Sequence, residues 1–202
     1  MNNPGDAMDS PKKSRVTLLL LLGLFVLPIL VVLTMYQFSM RPGGASHGEL
    51  VRPPRPLHFS PLMTWQNKLF PEDGLHEKWS LLYVTPAICS ESCVAQVRMM
   101  RQIHAALGKE MGRVQRIVLA AESSQPDQLD AMQRDYPDLI ILAKPARAVA
   151  QIADQLRMPA QADGSLYLID PLGNVMMHYP PAADPNGIRK DMSRLLSYSW
   201  AG

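Results

Sequence analysis

The sequence predicts an α/β protein in which a mixed central sheet is flanked by helices and preceded by one N-terminal transmembrane helix. Three observations predict it: an uncharged apolar run at residues 16–36, an alternation of short buried strands with amphipathic helices, and a final hairpin and helix. The formal net charge is +2, and no basic stripe is interleaved with aromatic residues. Nucleic acid is therefore not an expected partner.

Residues 16–36 (VTLLLLLGLFVLPILVVLTMY) are the predicted membrane anchor. About 20 apolar residues cross a bilayer, whereas a cleavable signal peptide has an apolar region of about 7–15. We therefore expect an uncleaved signal anchor embedded in lipid; a cleaved secretion signal is the alternative and would leave the compartment unchanged. The cluster of Lys12, Lys13 and Arg15 favours a cytoplasmic N-terminal tail over residues 1–15. The expectation is a single-pass protein of the bacterial inner membrane with its C-terminal domain in the oxidising periplasm.

The anchor is followed by a stretch rich in Pro and Gly, which predicts a semi-rigid linker over residues 37–61. Residues 62–202 have the length of one domain and can bury a single core. We therefore expect one soluble domain after the linker.

Within that domain, short apolar runs predict buried strands, and apolar residues three or four apart predict helices. The sequence DPLGN at residues 170–174 predicts a turn between two strands. The order of these strands and helices along the chain matches a thioredoxin-like fold with an extra strand and helix inserted at residues 139–157. The predicted strands are 81–84, 116–121, 139–142, 166–169 and 175–179, and the predicted helices are 92–107, 123–137, 149–156 and 185–198.

The chain has only two cysteines, Cys89 and Cys93, placed between the strand at 81–84 and the next helix. Residues four apart on a helix share one face, with Cα atoms roughly 6 Å apart, inside the 4.4–6.8 Å that a disulfide tolerates. The same spacing suits two thiolates that hold one Cu(I) ion. The pair therefore predicts either redox chemistry or copper binding, and the spacing does not separate the two.

The position of the pair predicts separate roles for its two thiols. A helix N-terminus lowers the pKa of a nearby thiol, which makes thiolate available near neutral pH. Cys89 precedes the helix and is the expected attacking thiolate, with Cys93 as the resolving partner. Glu91 lies between them and opposes this effect, because its negative charge raises thiol pKa values.

The cysteine segment resembles the Sco/SenC group of membrane-anchored, thioredoxin-fold proteins. That family has a tryptophan at a strand entry, a threonine-containing loop and Cys-Pro-Asp-x-Cys at a helix start; residues 78–93 read KWSLLYVTPAICSESC. Its later Tyr-Leu-x-Asp-Pro-x-Gly turn is matched by YLIDPLG at 167–173. The resemblance covers roughly residues 65–200. It implies a role in assembling the copper centre of cytochrome c oxidase subunit II, with Cu(I) as the metal.

The sequence departs from this family at the third copper ligand. The family places a histidine in an Asp-His-Ser stretch before the late strand, where residues 162–165 read ADGS, so that Gly164 stands at the ligand position. His178 is the candidate substitute, although a lone strand histidine is more often structural. His104 lies three helical turns beyond Cys93, too far to join it. Ser90 replaces the family's proline.

Three functions therefore stay open. The chain is a Sco-like assembly factor that delivers copper to subunit II or reduces its thiols, alone or with other assembly factors. It is a general periplasmic thiol–disulfide oxidoreductase, or it is a non-catalytic binding module with a structural disulfide. The short loop between the cysteines counts against the last, because such loops give little stabilisation. Phosphate-loop, zinc-hydrolase and serine-elbow motifs are absent from the sequence, which gives the corresponding enzyme classes no support.

Overall fold

The computed structural model describes residues 11–37, 46–86, 89–120, 124–156 and 164–199. The chain divides into two compact units, Met1–Ala45 and Ser46–Gly202. The helices are α1 (Pro11–Gln37), α2 (Glu91–Ala105), α3 (Pro126–Asp135), α4 (Ala146–Leu156) and α5 (Pro185–Tyr198). The strands are β1 (Glu49–Pro56), β2 (Leu62–Thr64), β3 (Leu69–Phe70), β4 (Trp79–Val84), β5 (Val114–Leu119), β6 (Ile140–Lys144), β7 (Leu166–Ile169) and β8 (Asn174–Tyr179).

The first unit contains α1, whose segment Arg15–Met35 is long and apolar enough to cross a membrane. Its apolar residues surround the helix axis, as expected for a helix that faces lipid. Pro28 lies inside the helix without ending it, which membrane helices tolerate. The predicted apolar helix is thus confirmed as a candidate membrane span. Residues 1–10 of the predicted cytoplasmic tail lie outside the described residues.

The second unit is built on one sheet with the strand order β1-β8-β7-β4-β5-β6-β2-β3. Strands β4, β5 and β6 run parallel, and the other neighbouring strands pair antiparallel. The predicted mixed sheet is therefore confirmed. Strand β6 and helix α4 lie within the predicted insertion at residues 139–157, and β6 extends the parallel part of the sheet.

Each face of the sheet has its own core, because successive side chains of a strand point to opposite faces. One face, here called the three-helix face, packs against α2, α3 and α5 and includes Leu81, Leu168 and both cysteines. The opposite face, here called the α4 face, packs against α4 and includes Leu82 and Tyr167. The sheet therefore separates the cysteines from every residue of the α4 face.

The structure differs from the predicted linker at residues 37–61. Residues 49–56 form β1, which pairs with β8 from Glu49 opposite His178 to Pro56 opposite Asn174. The three prolines in this segment explain why the sequence predicts a linker, since proline has no backbone N–H group to donate to a neighbouring strand. They are accommodated because β1 is an edge strand with a single neighbour. The compact unit thus begins at Ser46, and residues 38–45 lie outside the described residues.

The start of this unit is fixed by the N-terminal clamp, which consists of His47, Gly48, Tyr179 and Asp191. The buried Asp191 carboxylate accepts hydrogen bonds from the backbone N–H groups of His47 and Gly48 at 2.8 and 3.0 Å. It also accepts one from the Tyr179 hydroxyl at 3.2 Å and lies 3.2 Å from His47 Nδ1. Burial, together with the charge of Asp191, raises the pKa of Tyr179. The clamp joins the segment just before β1 to β8 and α5.

The hairpin of β7 and β8 closes where the sequence predicts a turn. The Asp170 carboxylate accepts the backbone N–H groups of Leu172 and Asn174 at 3.0 and 2.8 Å. Gly173 has φ +80°, a conformation that glycine adopts without steric cost. The short strands β2 and β3, with three and two residues, were not predicted, because runs of that length carry no periodicity.

Candidate active site

The candidate site forms where the chain passes from β4 into α2. Strand β4 is buried along its whole length, and α2 begins at Glu91 after the extended N-cap residue Ser90. Cys93 lies in the first helical turn, whereas Cys89 precedes the helix. The two form a disulfide with their Cα atoms 5.2 Å apart. Ala87 and Ile88 of the predicted cysteine segment lie outside the described residues.

The two cysteines differ in their access to solvent. Cys89 is 7% exposed, whereas Cys93 is 1% exposed and packs with Val97 and Met100 in the core of the three-helix face. Cys89 is therefore the more accessible of the two residues to a client molecule. This order of burial agrees with Cys89 as the attacking thiol, which stays a prediction.

Helix α3 holds the cysteine segment through Gln128. The Gln128 side-chain amide donates a hydrogen bond to the Cys89 carbonyl oxygen at 3.0 Å. The Ser90 carbonyl accepts the N–H groups of Cys93 and Val94 at 3.0 and 3.2 Å, which fixes the start of α2. Sequence reasoning missed Gln128, because it lies 39 residues from Cys89 and belongs to no local motif.

Cys89 opens onto a groove of about 830 Å³ between α2 and α3. Four of the five lining residues on α2 share one helical face, since they are spaced at i, i+3, i+4 and i+7 from Glu91. Val94 is 41% exposed there and gives the groove an apolar surface. The full lining is Cys89, Ser90, Glu91, Ser92, Val94, Ala95, Arg98 and Gln128.

Gly164 lies beside Val84, the last residue of β4, and this strand leads into the segment that carries the cysteines. Its N–H donates to the Val84 carbonyl at 2.8 Å, and the Val84 N–H donates to the Ser165 carbonyl at 3.1 Å. The position is therefore attached to the strand that leads into the site, and it has no side chain to offer. Ala162 and Asp163, which complete the compared stretch, lie outside the described residues.

The structure does not bring His178 to the cysteines. Its ring packs against Tyr167 of the α4 face, with the ring centroids 5.1 Å apart. Its strand neighbours Met177 and Tyr179 point to the three-helix face instead. His178 is buried, and its Nδ1 lies 3.6 Å from a Glu49 carboxylate oxygen. The sheet thus stands between this histidine and the thiols.

His104 also lies away from the pair. Its Nε2 is 3.0 and 2.9 Å from the carbonyl oxygens of Met111 and Val114, near the C-terminal end of α2. Within the described ranges, no three His, Cys, Asp or Glu side chains are grouped so that they could hold a metal ion. Among the described residues, the two cysteines therefore have no third side chain of these types grouped with them.

Tyr83 is the titratable group of β4 in the core that surrounds the cysteines. Burial raises the pKa of Tyr83 to about 12. The phenol therefore stays protonated at neutral pH and does not serve as a base for the thiols. The chemistry of the site rests on the cysteines themselves.

Comparison with known protein families shows which family the chain belongs to. The model of a family described as a transmembrane-like, thioredoxin-like, C-terminal domain matches residues 79–199. The chain belongs to this family. The match runs from the first residue of β4 to just beyond α5 and includes both cysteines. A search among curated proteins found no match to the sequence.

Solved structures share the fold at low sequence identity. Yeast Sco1 with copper bound is 18% identical, with a TM-score of 0.60, over 78% of this chain and 96% of that one. Apo Sco1 from Thermus thermophilus is 18% identical, with a TM-score of 0.60, over 76% and 99%. MTB dsbF, in mixed oxidized and reduced forms, is 16% identical, with a TM-score of 0.53, over 70% and 98%. The predicted thioredoxin-like fold is confirmed, and the resemblance to Sco proteins holds for the fold.

Proposed function

We propose that this chain is a membrane-anchored thiol–disulfide oxidoreductase with a Sco-type fold. One observation carries the proposal: the disulfide lies at the start of α2 with Cys89 facing the groove and Cys93 sealed in the core. A purely structural disulfide needs no such access. This arrangement favours exchange over a fixed cross-link.

In the reduced protein, the Cys89 thiolate attacks one sulfur of a client disulfide and forms a mixed disulfide. The released client sulfur takes up a proton. The Cys93 thiolate then attacks the Cys89 sulfur and releases the second client thiolate, which is protonated in turn. Two electrons pass to the client, and Cys89 and Cys93 are joined again. A dithiol donor resets the pair for the next cycle.

Copper delivery is less well supported by the residues of the site. Two thiolates can hold Cu(I), but the Sco resemblance implies a histidine as third ligand. Gly164 has no side chain at that position, and His178 lies on the opposite face of the sheet. The described residues do not fit a site with three donors. We therefore assign thiol reduction to Cys89 and Cys93 and route no step through a metal.

We propose the cysteines of the copper site in cytochrome c oxidase subunit II as the client, on the strength of the Sco resemblance. A general oxidoreductase with other clients is the second candidate, favoured by the likeness in fold to dsbF. The inner membrane, with the domain in the periplasm, is the proposed location. It is supported by the apolar helix and by the basic cluster before it.

The first test equilibrates the full-length protein, in detergent micelles, with glutathione buffers of graded potential and traps free thiols with a mass-tagged maleimide. We expect a two-electron transition of the pair. A disulfide-bearing domain of subunit II is then added. Cys93→Ser should accumulate a mixed disulfide through Cys89, whereas Cys89→Ser should not. A pair that stays oxidised or unreactive at every potential would contradict the proposal.

A parallel titration with Cu(I) against a competing chelator tests the alternative of delivery. Under this proposal the reduced protein binds copper no more tightly than a two-thiolate site. Stoichiometric tight binding that both Cys89→Ser and Cys93→Ser abolish would overturn the preference for thiol reduction. It would also require a further ligand.

A further inference from the structure

The groove beside Cys89 carries a charge pattern that the exchange reaction does not use. We propose that it selects client segments with an acidic residue three or four positions from the reacting cysteine and an apolar residue between them. The inference rests on the proposed thiol exchange. It concerns the face of α2 that lines the groove, here called the selection face: Glu91, Val94, Ala95 and Arg98.

The order of side chains along the selection face sets the order of contacts. Glu91 is in the first turn of α2, close to the disulfide, and Arg98 is two turns further on. Val94 and Ala95 lie between them, and Val94 is exposed. A client segment that lies along α2 with its cysteine at Cys89 therefore meets a negative group, then an apolar patch, then a positive group.

Both charges are available to a partner. Glu91 and Arg98 are exposed, and in the part of the chain that the structure describes neither side chain forms an ion pair or hydrogen bond. By contrast, Arg113 and Arg116 are paired with Glu110 and Asp138. The two charges are also not neighbours on the helix, because seven residues separate their Cα atoms by about 10 Å along the axis. An ion pair with a client would replace no internal partner.

The same distance sets the spacing in the client. An extended segment advances about 3.3 Å per residue, so that about three residues cover the distance from Glu91 to Arg98. A client cysteine joined to Cys89 lies beside the first turn of α2, because the Cα atoms of Cys89 and Cys93 are 5.2 Å apart. An acidic side chain three or four positions from that cysteine would then reach Arg98. Glu91 would disfavour an acidic residue directly beside that cysteine, since like charges repel. The face therefore recognises a short spacing pattern rather than net charge.

The test uses the full-length reduced protein in uncharged detergent micelles and short peptides with one cysteine activated as a 2-pyridyl disulfide. The Cys89 thiolate attacks the peptide sulfur and releases 2-thiopyridone, whose absorbance reports the rate. Peptides carry Glu, Gln or Lys three or four positions from the cysteine, on either side. We expect the Glu peptides to react about twofold to fivefold faster than the Lys peptides at low salt. The difference should nearly vanish at 1 M salt, where screening acts over about 3 Å.

Arg98→Glu should reverse the preference, and Arg98→Gln should remove it. The matched control is Arg101→Glu, which changes the same charge one turn further along α2, outside the groove lining. It should retain the preference. Equal losses in Arg98→Glu and Arg101→Glu, or no change in either, would overturn the assignment. Release at a rate independent of peptide charge would overturn this inference alone, whereas no release from any peptide would overturn the proposed function as well.

Discussion

The N-terminal clamp and the cysteine site are held in place by very different means. In the clamp, one buried carboxylate accepts hydrogen bonds from a phenol 12 residues away and from two backbone N–H groups 143 and 144 residues away in sequence. Cys89 is held by a disulfide and by one amide hydrogen bond from Gln128. The main restraint at the cysteine site is thus the bond that the reaction breaks. We therefore expect changes in the clamp to alter stability, and changes around Cys89 to alter redox equilibrium.

The largest expected effect is that of Asp191→Ala. It leaves the N–H groups of His47 and Gly48 and the hydroxyl of Tyr179 without their acceptor in a buried place. The free energy of unfolding should fall by about 3 kcal/mol or more, measured by urea denaturation of the oxidised full-length protein in micelles. Asp135→Ala, at an exposed position on α3, is the control and should change it by less than about 0.5 kcal/mol. Similar losses in both variants would contradict the importance of the clamp.

A smaller effect is expected from Gly187→Ala on α5, which tests how closely the clamp is packed. A Cβ atom at this position would lie 2.7 Å from the Cβ of His47, so the backbone segments must separate. We expect a loss of about 1–3 kcal/mol in the free energy of unfolding, by the same measurement. The control is Gly112→Ala, because a Cβ there meets no atom within 4 Å. A neutral Gly187→Ala would show that the clamp tolerates rearrangement.

Alkaline pH sharpens the comparison, because Tyr179 belongs to the clamp and Tyr83 to the core around the cysteines. Both pKa values are raised above the usual value of about 10, that of Tyr83 to about 12. Above pH 10 the unfolded chain releases protons that the folded chain retains, so stability falls as the pH rises. For Tyr83 the fall should amount to about 1.4 kcal/mol per pH unit between about pH 10 and 12, with full stability kept below that range.

This fall is measured by urea denaturation of the oxidised protein between pH 8 and 11. Tyr83→Phe and Tyr179→Phe should each make the pH dependence less steep. Tyr179→Phe should also lower stability by about 1 kcal/mol at neutral pH, since it loses the hydrogen bond to Asp191. A pH dependence that both variants leave unchanged would show that these phenols are not its source.

The smallest effect is expected at the cysteine site. Gln128→Leu removes the hydrogen bond to the Cys89 carbonyl oxygen. We expect this bond to persist in the reduced protein and to hold Cys89 near Cys93. In the variant the dithiol gains freedom, and the equilibrium with glutathione should shift toward the reduced form by up to about fivefold, the equivalent of one hydrogen bond. Gln102→Leu, exposed on α2, is the control. A shift toward the oxidised form would contradict the positioning role of Gln128.

Much of the fold was predictable from local pattern. Strands β4 to β8 and helices α2 to α5 lie within a few residues of their predicted positions. The spacing of their apolar residues indicates which side of each element is buried, and so predicts the element. Strand β1 was missed because its prolines mimic a linker, and only its pairing with β8 makes it a strand. Local pattern cannot show a partner that lies more than a hundred residues away.

The candidate site was predictable only in part, for a related reason. The cysteines stand out by residue type, but Gln128 acts through a partner 39 residues distant. The face on which His178 lies was also hidden, since its strand reads NVMMHY without a clear alternation of polar and apolar residues. Its pairing with Tyr167 decides that face.

The backbone at Gly164 has a consequence for any attempt to rebuild a three-ligand copper site in this protein. Its φ of +77° lies in the left-handed region, where a residue with a Cβ atom is disfavoured by roughly 1–2 kcal/mol. Space is not the obstacle, because a Cβ there would meet the ring of Pro181 at an ordinary 3.4 Å. Gly164→His alone would therefore introduce a strained ligand. A histidine at this position would bear that strain unless the backbone at residue 164 changes its conformation. One substitution therefore restores the type of ligand but not an unstrained one.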